Sequence, residues 1–431
     1  MPDTTIASIH ARRVWDSRGR PTVEAEVRLA CGALGRAIAP AGASRGSREA
    51  IDLRDGGAAL GGMDVGRAVA GVNGEIAPRL AGRDAADQEA IDAELIALDG
   101  TQHKARLGGN ATIAVSMACL HAAAAAFGEP LWRYLAQGQA VSLPLPEIQI
   151  FGGGAHAGRR IDIQDLMVMA LTATSFDQAL STTAEVYRAA GQLMQEQGKL
   201  AGVADEGGFW PAFDSNEEAL EMLVRAIEAA GFRPGEDMGI SLDVAASEFG
   251  SAGRYRLALE DRELDSVEMA GLLIEWCRRY PIVSVEDPLA EDDPEGMCLF
   301  TAAVGDKIQI IGDDYLVTNA ALVRKAAENK ACNAVLIKPN QAGTLTETRA
   351  ALDAGKAAGF GTIVSARSGE TEDVTIVHLA VGWNAGQLKV GSFTRSERMA
   401  KWNEALQVEE TLDTQARFAG RGALPRGIEP K

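Results

Sequence analysis

The sequence predicts a two-part α/β chain: an α+β unit followed by a (β/α)8 barrel of the TIM type. Three observations point there. The length, 431 residues, holds a barrel of about 250 residues plus one smaller domain. The pattern then changes along the chain, from alternating strands and long helical stretches to short β-rich runs between amphipathic segments, which is how parallel βα units read. Most of those short runs also end in an ionisable residue, among them Asp243, Glu286, Asp313, Lys338 and Lys389. Charges at the C-terminal ends of parallel strands describe the face on which barrels carry their chemistry. A doubly wound open sheet is the rival, but no GxGxxG follows an early strand.

In chain order, Thr5 to Trp15 and Thr22 to Leu29 alternate as strands around the turn Asp16-Ser17-Arg18-Gly19-Arg20-Pro21, and Arg36 to Pro40 adds a third. Helical periodicity follows over Asp64 to Leu80, Ala86 to Leu98 and Ala111 to Phe127. The last stretch is apolar, but His121 and its many alanines mark a buried helix rather than a membrane span. Gly138 to Pro146, with two prolines, is the boundary, giving units 1–138 and 139–431. Beyond it the barrel strands are Gly239 to Asp243, Ile282 to Glu286, Ile308 to Asp313, Ala334 to Lys338, Thr362 to Ser365 and Gln387 to Lys389. Endings at 286, 313, 338, 366 and 389 lie 23 to 28 residues apart, room for one strand, one helix and two loops.

A net charge of −18 excludes nucleic acid and anionic membrane as main partners. Small anionic substrates remain open, because a local cluster of cations overrides the global field at close range. Cys31, Cys119, Cys277, Cys298 and Cys332 are scattered without CxxC spacing, as expected of reduced thiols in a cytoplasmic protein. The N-terminus, MPDTTIASIHARRVWD, lacks the apolar core of a signal peptide.

Asp243, Glu286 and Asp313 close three consecutive strands. One carboxylate at a strand end is often a helix cap or salt-bridge partner, but three together cannot all stay ionised without a cation. Oxygen-only ligation favours Mg²⁺ or Mn²⁺ over zinc. Lys338 and Lys389 end the next charged strands. Facing a metal, one can be depressed by neighbouring cations until it acts as a base, and the other can hold a substrate carboxylate. A carbon acid beside a carboxylate is very weak, so proton removal needs such stacked positive charge. Expelling a hydroxyl from the next carbon then needs a protonated acid. Glu206, in Ala204-Asp205-Glu206-Gly207-Gly208, sits in a glycine-flanked loop suited to that role or to a plain turn. Arg367 to Asp373 is either an oxyanion site or a capped acidic helix start. Ala39 to Gly46 is a small-residue loop able to act as a lid.

The segments DSRGRPTVEAEV, SREAIDLRDGG, DIQD, ADEGGF, LDVAASEF, VSVEDPLAEDD, GDDYLVTN, LIKPNQAGTLTET, RSGETED and GQLKVGS resemble enolase motifs, in order, across nearly the whole chain. The resemblance implies an N-terminal α+β capping domain on a modified barrel. It implies Asp243, Glu286 and Asp313 as Mg²⁺ ligands, Lys338 as base, Glu206 as acid and Lys389 as carboxylate partner. Arg367 and Ser368 match the phosphate pair, and His156 a substrate-loop histidine. Ser44 matches the lid serine at a second Mg²⁺ that arrives with substrate, so two ions per site are expected; Gln164 also matches. An amine base with one or two Mg²⁺ ions is the general pattern of that superfamily.

Several positions depart from the family pattern. Asp165 stands where Glu is usual, Ala366 where a histidine precedes the Arg-Ser pair, Ala41 and Arg45 where the lid has Ser and Thr, and Arg159 and Arg160 where Asn or Lys is common. In one reading the chain converts 2-phosphoglycerate to phosphoenolpyruvate in glycolysis, with Asp165 among the catalytic residues. In a second, Ala366 and Asp165 enlarge the pocket and Arg45 or Arg159 make it more cationic, for a substrate such as carboxyphosphono-glycerate. A third is a non-catalytic binding protein, to which the terminal Lys431 is the only pointer. The family is usually dimeric or octameric, so a homodimer or homo-octamer is expected, without nucleic-acid or membrane partners.

Overall fold

The computed structural model describes residues 1–425; Lys431 lies outside the described residues. The chain opens with an antiparallel meander of β1 (Ile6–Trp15), β2 (Pro21–Leu29) and β3 (Leu34–Ile38). Asp16 shapes the first turn, its Oδ1 accepting the amides of Arg18 and Arg20 at 2.9 Å each. The helix expected from 64 runs from Gly66 to Leu80, with a wider turn over Val72–Ile76. Two regular helices follow, α1 (Gln88–Asp99) and α2 (Gly109–Phe127). By length and composition α2 resembles a membrane span, but 78% of its apolar window is buried inside the protein. The alanines of α2 let β3 come very close. A Cβ on Gly35 lies 2.1 Å from the Ala118 carbonyl oxygen and 2.2 Å from the Ala122 amide, so only glycine fits.

The barrel strands are β4 (Leu145–Gly152), β5 (Asp165–Ala170), β6 (Met238–Asp243), β7 (Ile282–Glu286), β8 (Gln309–Gly312), β9 (Ala334–Ile337), β10 (Gly361–Ser365) and β11 (Gly386–Ser392). They close in chain order, β11 pairing with β4. The six strands expected from the sequence all form. They pair in parallel with one another, and the modification of the barrel lies at β5, which runs antiparallel to β4 and to β6. Residues 153–164, without a long helix, join β4 to β5, the kind of short link that antiparallel neighbours accept. Both strands escape sequence reading because Pro146, Glu147, Gln149 and Asp165 interrupt the apolar pattern, although Glu147, Gln149 and Asp165 are buried. A second small meander, Gly250–Ser251, Arg254–Leu257 and Arg262–Asp265, fills the loop after β6.

The surrounding helices are α3 (Phe176–Glu196), α4 (Asn216–Ala229), α5 (Ser266–Arg279), α6 (Pro294–Val304), α7 (Ala320–Asn329), α8 (Leu345–Ala357), α9 (Thr375–Gly382) and α10 (Ser396–Leu412). Side-chain caps from Ser175, Ser215, Asp265, Asp293, Asn319 and Thr344 start six of them, satisfying amides that have no partner within the helix. The two halves of the chain are tied at α8. Asp92 of α1 accepts the Thr346 amide at 2.8 Å, and the Leu345 amide donates to Ser116 of α2 at 3.0 Å. Inside the barrel, one layer below the catalytic face, Gln309 donates to Ser284 at 3.0 Å and to Gln387 at 2.9 Å, and Ser241 donates to Glu147 at 3.3 Å. Burial pushes Glu147 up to about 7 against the pull of Lys389.

Replacing Gly35 by alanine therefore drives β3 away from α2. The expected cost is at least about 1–3 kcal/mol of overpacking, read as a lowered midpoint in thermal unfolding.

Candidate active site

The functional side chains gather at one end of the barrel because strand direction places them there. Asp243 and Glu286 are the last residues of β6 and β7, Asp313 and Lys338 follow β8 and β9, Arg367 and Ser368 follow β10, and Lys389 lies in β11. Since β5 is reversed, its first residue, Asp165, arrives at the same end and pairs in register with Asp243. The loop before β5 supplies His156 and Gln164, and the loop after α3 supplies Glu206.

Lys389 is the electrostatic centre. Its Nζ donates to Asp243 Oδ2 and Glu286 Oε2, both at 2.8 Å, and lies 3.5 Å from Asp165 Oδ2. Gln164 donates to the same Asp243 oxygen at 3.1 Å. Burial disfavours the charge on Lys389, but Asp243 and Glu286 outweigh it and hold the amine well above its usual range. Lys338 donates to Asp313 Oδ2. Burial lowers the pKa of Lys338, but the neighbouring carboxylates, Asp313 first and then Glu286, together outweigh it, so the amine sits above the ordinary lysine value. Arg367 and Lys389 do pull the Lys338 pKa down, and the direct contact with Asp313 outweighs either of these more distant cations.

Asp165 was expected among the catalytic groups. Its Oδ1 accepts from Gln149 and from His156 Nδ1, the latter at 3.0 Å. Asp165 lines the cavity with both oxygens engaged by protein groups, Oδ1 orienting His156 and Oδ2 lying near Lys389. His156 Nε2 lies 3.1 Å from Ser368 Oγ and 3.8 Å from Glu206 Oε1. Burial opposes the imidazolium, but Glu206 and Asp165 overcome it and raise His156 to about 9.

The lid is shut. Ala41 and Gly369 exchange backbone hydrogen bonds at 2.9 and 2.8 Å, the Ala43 amide donates to Ser368 Oγ at 3.1 Å, and Arg367 donates to the Ser44 carbonyl at 3.0 Å. Arg367 also makes a two-armed ion pair with Glu49, at 3.0 and 3.2 Å. The segment from Arg367 to Asp373 is a loop rather than a helix start, since α9 begins only at Thr375. The closed cavity among Ser44, His156, Glu206, Lys338, Ser368 and Lys389 is about 20 Å³, room for about one water. Ala366 lines it, yet no enlarged pocket accompanies the small side chain. Arg45 is exposed, and Arg159 points outward to Glu248 at 3.0 Å with its side chain 67% exposed. Neither arginine adds charge to the cavity, because both lie on the outer side of their loops. Sequence reading missed Glu49, Asp287, Asp314, Thr318 and Gln341. The doubled acids in VEDP and GDDY were the available signal for two of them: Asp287 accepts the amides of Asp313 and Asp314 at 2.9 and 2.7 Å.

Two family models match the chain: the enolase N-terminal domain over residues 6–135, and the enolase C-terminal TIM barrel domain over residues 140–426. The chain belongs to the enolase family. It is 50% identical over 427 residues, 98% of either chain, to Enolase 1 of Desulfitobacterium hafniense strain Y51.

Enolase-family chemistry implies a divalent metal, and the residues present fit one. Buried Asp165, Glu206, Asp243, Glu286, Asp287, Asp313 and Asp314 outnumber the buried cations beside them, Lys338, Lys389, Arg367 and the protonated His156. Glu286 Oε1 is buried without a hydrogen-bond partner, and oxygen donors of this kind suit a hard dication. Asp313 also lies in a tight group with Asp287 and Asp314, their ligand atoms within 4.8 Å of one another. Asp243 and Glu286 instead meet across Lys389. Burial and the Asp243 charge hold Glu286 well above the carboxylate range, and burial with Asp313 lifts Asp287 to about 8. Without added positive charge both acids are biased towards their protonated forms.

Mg²⁺ binding is therefore expected to release protons, and its apparent affinity to rise with pH across the neutral range. Calorimetric titrations in buffers of different ionisation enthalpy measure both; equal heats in all buffers would contradict the charge balance described.

Proposed function

We propose that this enolase-family chain is a hydro-lyase that converts 2-phosphoglycerate to phosphoenolpyruvate and water. The observation that carries the reading is the grouping of two buried amines, Lys338 and Lys389, with the acid Glu206 around one closed cavity beside Arg367 and Ser368. Family membership over the whole length supports it.

In this reading Lys389 holds the substrate carboxylate, and Arg367 and Ser368 hold the phosphoryl group, with His156 behind Ser368. Lys338 takes the proton from the carbon bearing the phosphate. Glu206 gives a proton to the hydroxyl on the neighbouring carbon, which leaves as water while the double bond forms. Lys338 must be neutral to act, so the charge that Asp313 now lends it has to be drawn elsewhere. Asp243, Glu286 and Asp313 would hold Mg²⁺, and Ser44 would help to hold a second ion; once bound, the metal would stabilise the negative charge that develops as the proton leaves. The shut lid excludes water, which strengthens each of these interactions.

The bulkier phosphono substrate finds no supporting feature, given the exposed Arg45 and the outward Arg159. A purely binding role leaves the grouped lysines and Glu206 without a use. A cytoplasmic homodimer or homo-octamer acting in glycolysis, divided near residues 138 and 139, is the setting this reading carries with it.

Purified protein with Mg²⁺ and 2-phosphoglycerate should produce the ultraviolet absorbance of the enol product. Turnover within about tenfold of 10 s⁻¹ is expected, and its absence would overturn the assignment. Lys338→Ala should abolish both exchange of the carbon-bound proton with solvent and elimination. Glu206→Gln should slow elimination by about 10²–10⁴ while leaving exchange measurable by deuterium incorporation.

A further inference from the structure

We propose that Thr318 is a positioning residue for this reaction. From a strained turn, its hydroxyl fixes the orientation of the Asp313 carboxylate through Gln341, and it anchors the chain at the base Lys338. The proposal rests on the functional reading above.

The first observation is the backbone. Val317 and Thr318 have φ of 43° and 51°, the left-handed region that β-branched side chains rarely enter. Asp313 draws the turn tight, its carbonyl accepting the amides of Leu316 and Val317 at 3.0 and 2.7 Å. Glycine or asparagine would form such a turn at less cost. Two consecutive β-branched residues held in strain are a sign that something other than folding fixes the conformation.

The second observation is what the turn delivers. Thr318 is buried, and its Oγ1 donates to Gln341 Oε1 at 2.6 Å and accepts the Lys338 amide at 2.9 Å. The other end of the Gln341 amide donates to Asp313 Oδ1 at 2.8 Å and to Glu49 Oε1 at 3.3 Å. Asp313 and Glu49 are both acceptors, so the amide nitrogen must face them and the amide oxygen must face Thr318. Asp313 Oδ2 accepts from Lys338 Nζ. The carboxylate is thus clamped between Gln341 on one oxygen and the base on the other. Glu49 extends the same chain of bonds to Arg367. Without the hydroxyl, Gln341 Oε1 and the Lys338 amide both lose a buried partner, and the amide is free to turn away from Asp313.

Thr318 touches no position assigned to substrate, so its effect should fall on turnover and on metal affinity rather than on substrate binding. In Thr318→Val and Thr318→Gly, kcat should drop on the order of 10- to 100-fold with KM changed by less than about threefold. Thr318→Ser should restore kcat to within about threefold of wild type. Mg²⁺ affinity, measured by calorimetry without substrate, should weaken in the valine and glycine variants and recover in the serine variant. Thermal unfolding separates this role from a structural one: Thr318→Gly relieves the backbone, which offsets part of the two lost buried partners, so it should melt above Thr318→Val while remaining equally impaired. Should the valine variant not fold, Gln341→Leu takes its place with the same expectations. Wild-type kcat and Mg²⁺ affinity in the glycine variant, or a serine variant as impaired as valine, would overturn the proposal. If wild-type protein fails to turn over 2-phosphoglycerate, the functional reading falls, and the Mg²⁺ affinities of the same variants still decide whether Thr318 positions Asp313.

Discussion

Negative charge buried at one end of the barrel is the constraint on which the rest of the site depends. Removing a carboxylate from water costs far more than ordinary packing returns unless a cation or several donors accompany it. Here Lys389 bridges Asp243 and Glu286, Lys338 meets Asp313, Arg367 meets Glu49, and His156 stays protonated between Asp165 and Glu206. The pairing still falls short, leaving one oxygen of Glu286 without any partner. The incomplete balance gives the site its appetite for a dication.

Much of this was legible in the sequence because barrel strands that end in charge leave a simple trace. Asp243, Glu286, Asp313, Lys338 and Lys389 each close or follow an apolar run, and all five meet at one end of the barrel. The strands β4 and β5 left no such trace, since Glu147, Gln149 and Asp165 put polar groups into a buried interior where apolar ones are expected. The reversal of β5 is likewise invisible in a pattern of alternation, which carries no direction. Glu49 and Gln341 could not be foreseen either. Their roles arise from contacts such as Glu49 with Arg367, 318 positions apart in the chain, and nothing local in sequence announces them.

The unusual residues sort themselves by where they point. Asp165 is shorter than glutamate, but Gln149 and His156 close on it, so the missing methylene is absorbed by a hydrogen-bond network. Ala366 lines the cavity, yet the shut lid leaves no void beside it. Arg45 and Arg159 face outward, and their charge joins the protein surface. In three dimensions these changes are one adjusted support at Asp165, one small side chain on the cavity wall at Ala366, and exposed charges at Arg45 and Arg159.

The lid has a kinetic corollary. With Gly42 so close to Arg367 that a Cβ would lie 2.0 Å from its guanidinium, the loop has no slack through which a ligand can slip. Passage in either direction must break the Ala41–Gly369 pair and the Ala43–Ser368 bond together. Throughput is then bounded by how often the door swings, so solvent viscosity becomes a control on the enzyme's speed whenever bond-making inside is faster than reopening.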